Sequence, residues 1–250
     1  MTPRVKIICV CFIALLSMDC QGQGKIFIAA ASDLKFALDS MASVFRKKYS
    51  GTVEITYGSS GKLFEQVSNG APFDIFFSAD IEYPNRLKEK GLTASDIYIY
   101  GVGRIVVWSK KIEVEKEGMN SLLSPGVKKI AMANPLHAPY GKRAEEALKF
   151  YKMHDTIKNK LVLGENISQA AQFVTTGPAD IGIVAYSLAL SPNMKKENGK
   201  FYLIPENAHQ RLQQAVVITK QGKANDFAQT FLSFVKSNEA KQVLSYFGFK

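Results

Sequence analysis

The chain has 250 residues, 46% of them hydrophobic and 22% charged, a balance that excludes a disordered or wholly membrane-embedded protein and allows one large domain or two lobes of roughly 100 residues each. The formal net charge of +10 suits nucleic acid, an acidic surface or an anionic ligand. The basic residues are dispersed in short clusters, such as Arg46-Lys47-Lys48 and Lys195-Lys196, with no interleaved aromatics, which speaks against nucleic acid.

At the N-terminus, Arg4 and Lys6 precede an unbroken apolar run, residues 7–16. Ten residues are too few to cross a bilayer and suit the core of a signal peptide. The expectation is a leader over residues 1–24, cleaved after Gly22 or Gly24, and an exported soluble product. A lipoprotein anchored at Cys20 is the alternative, although Asp19 makes a poor context for it. Cys9, Cys11 and Cys20 all lie in or beside the leader. The body beyond it therefore has no disulfide, thiolate metal site or cysteine nucleophile.

A strand-loop-helix unit then recurs. Residues 25–31 (KIFIAAA) read as a buried strand, followed by Ser32 as a helix N-cap and Asp33 in the first turn. Leu34, Ala37, Leu38, Met41 and Phe45 fall on one helical face. Residues 53–57 form a second strand, Gly58-Ser59-Ser60-Gly61 a turn and residues 62–69 a short helix closed by Gly70. Residues 74–80 are another buried strand, with a helix over 82–90. A third unit joins the strand 130–133, the loop 134–141 and a helix face of Ala144, Ala147, Leu148 and Tyr151. The fourth runs from residues 161–163 through Gly164-Glu165-Asn166-Ile167 into a helix ended by Gly177. A fifth strand, 180–184, leads into Ala185-Tyr186-Ser187.

Alternating strands and helices imply an α/β protein with parallel sheets. Strands at 103–109 and 214–220 are natural crossings between two lobes. The expected division is residues 25–104 plus 210–250 for lobe one and 105–209 for lobe two. Helices at 225–236 and 238–246 finish lobe one.

In such sheets ligands bind beyond the carboxyl ends of the strands. Each loop there leads into a helix N-terminus, whose free N–H groups and dipole favour an anion. Ser32, Ser59 and Ser60 add hydroxyl donors. One dipole contributes only about 0.3–1 kcal/mol, so several must converge. Taken singly, Ser32 is an ordinary N-cap and 58–61 an ordinary turn; the coincidence points to a small oxyanion, of a kind the pattern does not specify. Enzyme signatures fail. Lys62 stands where a G-x-S-x-G elbow around Ser60 needs glycine. His137, His154 and His209 are scattered and lack zinc-ligand spacing. No phosphate-binding glycine motif occurs. The expectation is a binding protein, not an enzyme, with no cofactor and no direct cation ligands.

These loops resemble the periplasmic molybdate-binding proteins of ABC transporters. The resemblance rests on Ala29-Ala30-Ala31-Ser32, on Tyr57-Gly58-Ser59-Ser60-Gly61-Lys62-Leu63 and on the long segment 70–80 (GAPFDIFFSAD). Segments 134–141, 165–170 and 179–184 match in order and spacing. The resemblance implies a two-lobed type II periplasmic binding protein fold: mixed, mostly parallel sheets with flanking helices and an interlobe cleft. By position, Ser32 and Ser60 would give hydroxyl and backbone N–H from lobe one. Tyr140 and Ile167 would give backbone N–H from lobe two. Many members place a ligand tyrosine directly after the last strand; here Ala185 stands there and Tyr186 follows, so Tyr186 is a further candidate. The Asp33 carboxylate is expected to point away from the cleft. The implied ligand is molybdate or tungstate, with sulfate or phosphate as alternatives and a periplasmic enzyme on the same fold as a more distant one. The implied partner is an inner-membrane permease, the implied location the periplasm, and the implied state a monomer.

Overall fold

The computed structural model describes residues 24–250. The expected signal peptide and its Cys20 alternative lie outside the described residues, apart from Gly24, which opens the first strand.

Among the described residues, ten strands form two five-stranded sheets. The first sheet has the order β2-β1-β3-β10-β4. Its strands are β1 (Gly24–Ala31), β2 (Gly51–Gly58), β3 (Ile75–Ser78), β4 (Tyr98–Gly103) and β10 (Leu212–Ile218). The second has the order β7-β6-β8-β5-β9. Its strands are β5 (Ile105–Ser109), β6 (Ile130–Ala133), β7 (Leu161–Gly164), β8 (Ile181–Ala185) and β9 (Lys200–Leu203). Both sheets have the same plan. A parallel triplet (β2-β1-β3 or β7-β6-β8) is extended by a strand that arrives from the other sheet and runs antiparallel. Four strands in each sheet therefore run one way and one, β10 or β5, runs against them, the mixed, mostly parallel arrangement expected.

The chain passes between the sheets twice. Arg104 alone separates β4 from β5, so residues 103–109 do not form one strand. β4 and β9 were not anticipated. Gly101 and Gly103 dilute the β-signal of the first, and β9 is a four-residue edge strand. Gly103 is required by close approach: a Cβ there would lie 2.3 Å from the Tyr140 hydroxyl.

Helical periodicity is met in the core. The helix Lys35–Lys48 buries Ala37, Leu38, Met41, Ala42 and Phe45. Phe45 lies at the centre of an aromatic cluster with Phe227, Phe231 and Phe234 from the helix Asp226–Val235. The opposite face of the first sheet packs Phe64 and Leu87 from the helices Ser60–Ser68 and Glu82–Glu89. The second sheet has its own core around Trp108, Leu148 and Ile183. Among the described residues, no helix is long and apolar enough to cross a membrane.

Candidate anion site between the sheets

The carboxyl ends of the parallel strands from the two sheets face each other. β1 runs into a 3-10 turn, Ser32–Leu34, before the helix Lys35–Lys48. β2 runs into the helix Ser60–Ser68 with Ser59 as N-cap. Across the gap, the loop after β6 opens the helix Pro139–Phe150, with proline in its first turn. The loop after β7 opens Ile167–Thr176, capped by Asn166. First-turn N–H groups have no partner inside their own helix. Four such chain starts converge on one small cavity of about 10 Å³.

The cavity is lined by Ala31, Ser32, Asp33, Ser59, Ser60, Tyr140 and Ile167, together with Gly58, Ala79, Ala138 and Pro139. Four of the five sequence candidates, Ser32 and Ser60 from one side and Tyr140 and Ile167 from the other, thus meet at one cavity. Tyr186 is not among the lining residues. Its ring packs on Phe201 at 5.4 Å and against Gly248, while its N–H donates to the Arg104 carbonyl.

The serines divide their work. Ser32 does not cap its helix. Its hydroxyl donates to Asn166 Oδ1 (3.1 Å) and accepts from the Ser168 N–H (3.3 Å). Ser60 Oγ accepts from the Ala79 N–H at 3.0 Å, which leaves its own proton to donate. Ser59 Oγ is buried and has no partner. A buried hydroxyl without a partner costs roughly 1–3 kcal/mol unless a ligand satisfies it.

Asp33 is 1% exposed and is among the residues that line the cavity, and its carboxylate turns inward to Tyr140 and Gln214. Oδ2 accepts from Tyr140 Oη (3.0 Å) and Gln214 Nε2 (2.8 Å). Oδ1 is buried with no partner. Tyr100 Oη lies 2.7 Å from Gln214 Oε1 and 3.2 Å from the Ser78 carbonyl, and the Gln214 amide NH₂ faces Asp33 and Tyr140. Burial pushes the Asp33 carboxyl up to about 6, against the lowering effect of hydrogen bonds from Gln214, Tyr140 and the backbone N–H groups of Asp33 and Leu34. Burial likewise holds the Tyr140 and Tyr100 phenols well above their usual range, so both stay protonated donors. No basic side chain lines the cavity. Two unit charges about 4 Å apart repel by about 4 kcal/mol at an effective dielectric constant of about 20. An ionised Asp33 would therefore oppose any anion beside it.

Around this centre the two sheets' loops are bonded together. Ser168 Oγ donates to the Ser32 carbonyl (2.9 Å) and Ser187 Oγ to the Asp33 carbonyl (2.9 Å). Gly61 N–H donates to the His137 carbonyl (2.9 Å). Arg143 is almost wholly buried and donates to Asp80 Oδ2 at 2.9 Å, with Glu146 and Gln210 as further acceptors. At the rim, Lys62 pairs with Glu165, which also meets His137 Nε2 at 3.0 Å. Sequence reasoning missed Asn166, Ser168, Gln214 and the Arg143–Asp80 pair. Gln214 left a signal as a polar residue inside an otherwise buried strand, and Asn166 one as a capping residue directly before a helix. Among the described residues, no group of His, Cys, Asp or Glu is arranged to hold a metal ion.

Comparison with known proteins agrees with this architecture. The bacterial extracellular solute-binding protein family matches over residues 26–250. The molybdate-binding protein ModA of Rhodobacter capsulatus is 33% identical over 229 residues, which cover 90% of this chain and 88% of the relative. The solved periplasmic molybdate-binding protein of Azotobacter vinelandii superposes with a TM-score of 0.85 at 29% identity, covering 90% of this chain and 98% of that one. The sulfate-binding protein SubI of Mycobacterium tuberculosis shares the fold, with a TM-score of 0.74 at 15% identity. The chain belongs to the bacterial extracellular solute-binding protein family.

Proposed function

We propose that the protein captures a tetrahedral oxyanion, molybdate or tungstate, between two lobes and hands it to an ABC permease without transforming it. The lobes are residues 25–104 with 210–250, and residues 105–209. The carrying observation is the cavity itself. Four chain starts bring first-turn N–H groups to one cation-free space beside a buried, unpartnered Ser59 hydroxyl. Hydrogen bonds of this kind replace the hydration shell of an anion without a countercharge. The choice of molybdate or tungstate over sulfate rests on the relatives that carry the molybdate-binding name.

Ser60 would donate its hydroxyl proton, and Tyr140 and Ile167 their backbone N–H groups. Ser32 would serve through its backbone N–H, because its hydroxyl is engaged with Asn166 and Ser168. Tyr186 would take no part. Loading would be a closure, since the Ser32–Asn166 and Asp80–Arg143 bonds form only when the lobes meet. The chain would act as a monomer in the periplasm, delivered by its leader or held there through Cys20.

Calorimetric titration of the exported form with molybdate, tungstate, sulfate and phosphate tests this reading. Binding of the first two, with sulfate and phosphate much weaker, is expected. Failure of all four to bind would refute it.

A further inference from the structure

The anion wall contains one group that does not belong in a cradle of neutral donors. Asp33 sits among Ser59, Ser60 and Tyr140 with one carboxyl oxygen fully occupied and the other buried without a partner. An ionised carboxylate accepts hydrogen bonds and donates none. Beside an oxyanion, its free oxygen would set acceptor against acceptor and charge against charge. A proton on Oδ1 removes both conflicts, because the neutral acid donates to the anion oxygen while Oδ2 keeps its Tyr140 and Gln214 donors.

We propose that Asp33 is a specificity-determining proton donor of this site: each oxyanion is bound together with one proton, which resides on Asp33 Oδ1 and hydrogen-bonds the anion. The proton comes from solvent and returns there on release; no bond of the anion is broken. The inference rests on the oxyanion reading above and deepens it. It makes the site prefer fully deprotonated tetrahedral oxyanions, which offer an acceptor at every oxygen, and it couples release to rising pH.

The surroundings leave Asp33 as the group that titrates. Tyr140, from the helix Pro139–Phe150, and Tyr100, from β4, are held protonated by burial. Gln214 on β10 and Ser187 on the helix Tyr186–Ala189 are neutral, and the helix Ile167–Thr176 has no titratable residue. Tyr186 turns its ring to Phe201. On Asp33's own side, Lys35 pairs with Asp39 and lies over the Tyr57 ring. Arg143 is taken up by Asp80 and Glu146. At the rim, Lys62, Glu165 and His137 pair among themselves. With the lobes together, as in this structure, burial places the Asp33 carboxyl near 6, so above that value the proton must be taken up as the anion is enclosed.

The test is molybdate titration of the full exported chain by calorimetry at about pH 7.5, in two buffers of different ionisation enthalpy, repeated across about pH 6–9. For the wild type, roughly one proton taken up per anion and a Kd rising about tenfold per pH unit above about pH 7 are expected. In Asp33→Asn, whose amide donates without titrating, the proton count falls to zero and Kd becomes independent of pH. No proton uptake by the wild type overturns the proposal. So does a pH slope that persists unchanged in Asp33→Asn, which would show that another group carries the proton. If Asp33→Asn does not fold, the wild-type proton count decides alone. Absence of molybdate binding at every pH refutes the oxyanion reading and this inference with it.

Discussion

Asp80→Asn separates closure from folding. Asp80 serves two elements at once: Oδ1 accepts from the Glu82 N–H at the start of the helix Glu82–Glu89, and Oδ2 accepts from Arg143 across the gap between the sheets. Asparagine keeps the first role, since Asn and Asp cap helices about equally well. It loses the second, because its NH₂ meets a guanidinium that also only donates. The Asp80 and Arg143 side chains are 11% and 4% exposed, so solvent screens the pair little. A hydrogen bond between charged groups contributes about 1.5–3 kcal/mol, and desolvation on closing takes back part of it. The net loss is about 1–3 kcal/mol, all of it from the closed form, because Arg143 keeps Glu146 when the lobes part. Apparent affinity scales with the closed fraction, so molybdate should bind about 5–150-fold more weakly in calorimetry. Small-angle scattering should show a larger radius at subsaturating ligand, and the melting temperature without ligand should hold. Unchanged affinity, or a large fall in melting temperature, would refute a closing role for this pair.

Three further outcomes follow from the same geometry. Ser60→Ala should weaken anion binding by roughly 1–3 kcal/mol and lower the melting temperature, because the Ala79 N–H loses its acceptor; Ser59→Ala should weaken binding alone, and equal thermal effects in the two would contradict this division. Gly61→Ala places a Cβ 2.7 Å from the His137 carbonyl oxygen across the gap, where the backbone cannot yield as the Tyr83 side chain of the same lobe can; overpacking of about 1–3 kcal/mol should fall mainly on closure, seen as weaker binding with the larger part of fold stability kept. For Asp33 the folded value is raised from 3.8 to about 6, so its contribution to stability is complete below about pH 4 and is lost as pH rises through about 6. That loss is about 3 kcal/mol at about 1.4 kcal/mol per pKa unit. Relative to wild type, Asp33→Asn should therefore gain roughly 6–12 °C in melting temperature between about pH 4 and pH 7.5; a difference that does not change with pH would refute it.

The units of the fold were legible because local pattern and burial agree. Leu34 to Phe45 repeat with helical spacing, and that face is the core. The strands that failed to register, β4 and β9, are a glycine-containing strand and a short edge strand, whose residues carry weak β-signals of their own. At the site, the convergence of Ser32, Ser60, Tyr140 and Ile167 could be read from loops that precede helices. The partners of those residues could not. Ser32 meets Asn166 and Ser168 more than 130 positions away, and Asp33 meets Gln214 at a separation of 181. Contacts of that range are set by how two sheets face each other, and no local pattern encodes them. Asp33 itself looked like an ordinary acidic residue in a first helical turn, and the wall that Tyr140 and Gln214 build over it reverses that reading.

The strand order has a consequence for the sequence of assembly. β10 lies between β3 and β4, so β4 has no neighbour in its sheet until residues 212–218 arrive. Its free side is then covered by the last residue, as Val102 and Lys250 exchange backbone hydrogen bonds. The second sheet draws only on residues 105–203 and needs nothing from either end. In a chain that emerges N-terminus first, the second half-site can be finished while the first still waits for its inserted strand. Gln214, which orients Asp33, arrives with that strand. A chain stopped before residue 212 would hold one complete wall of the cavity and no means of closing it.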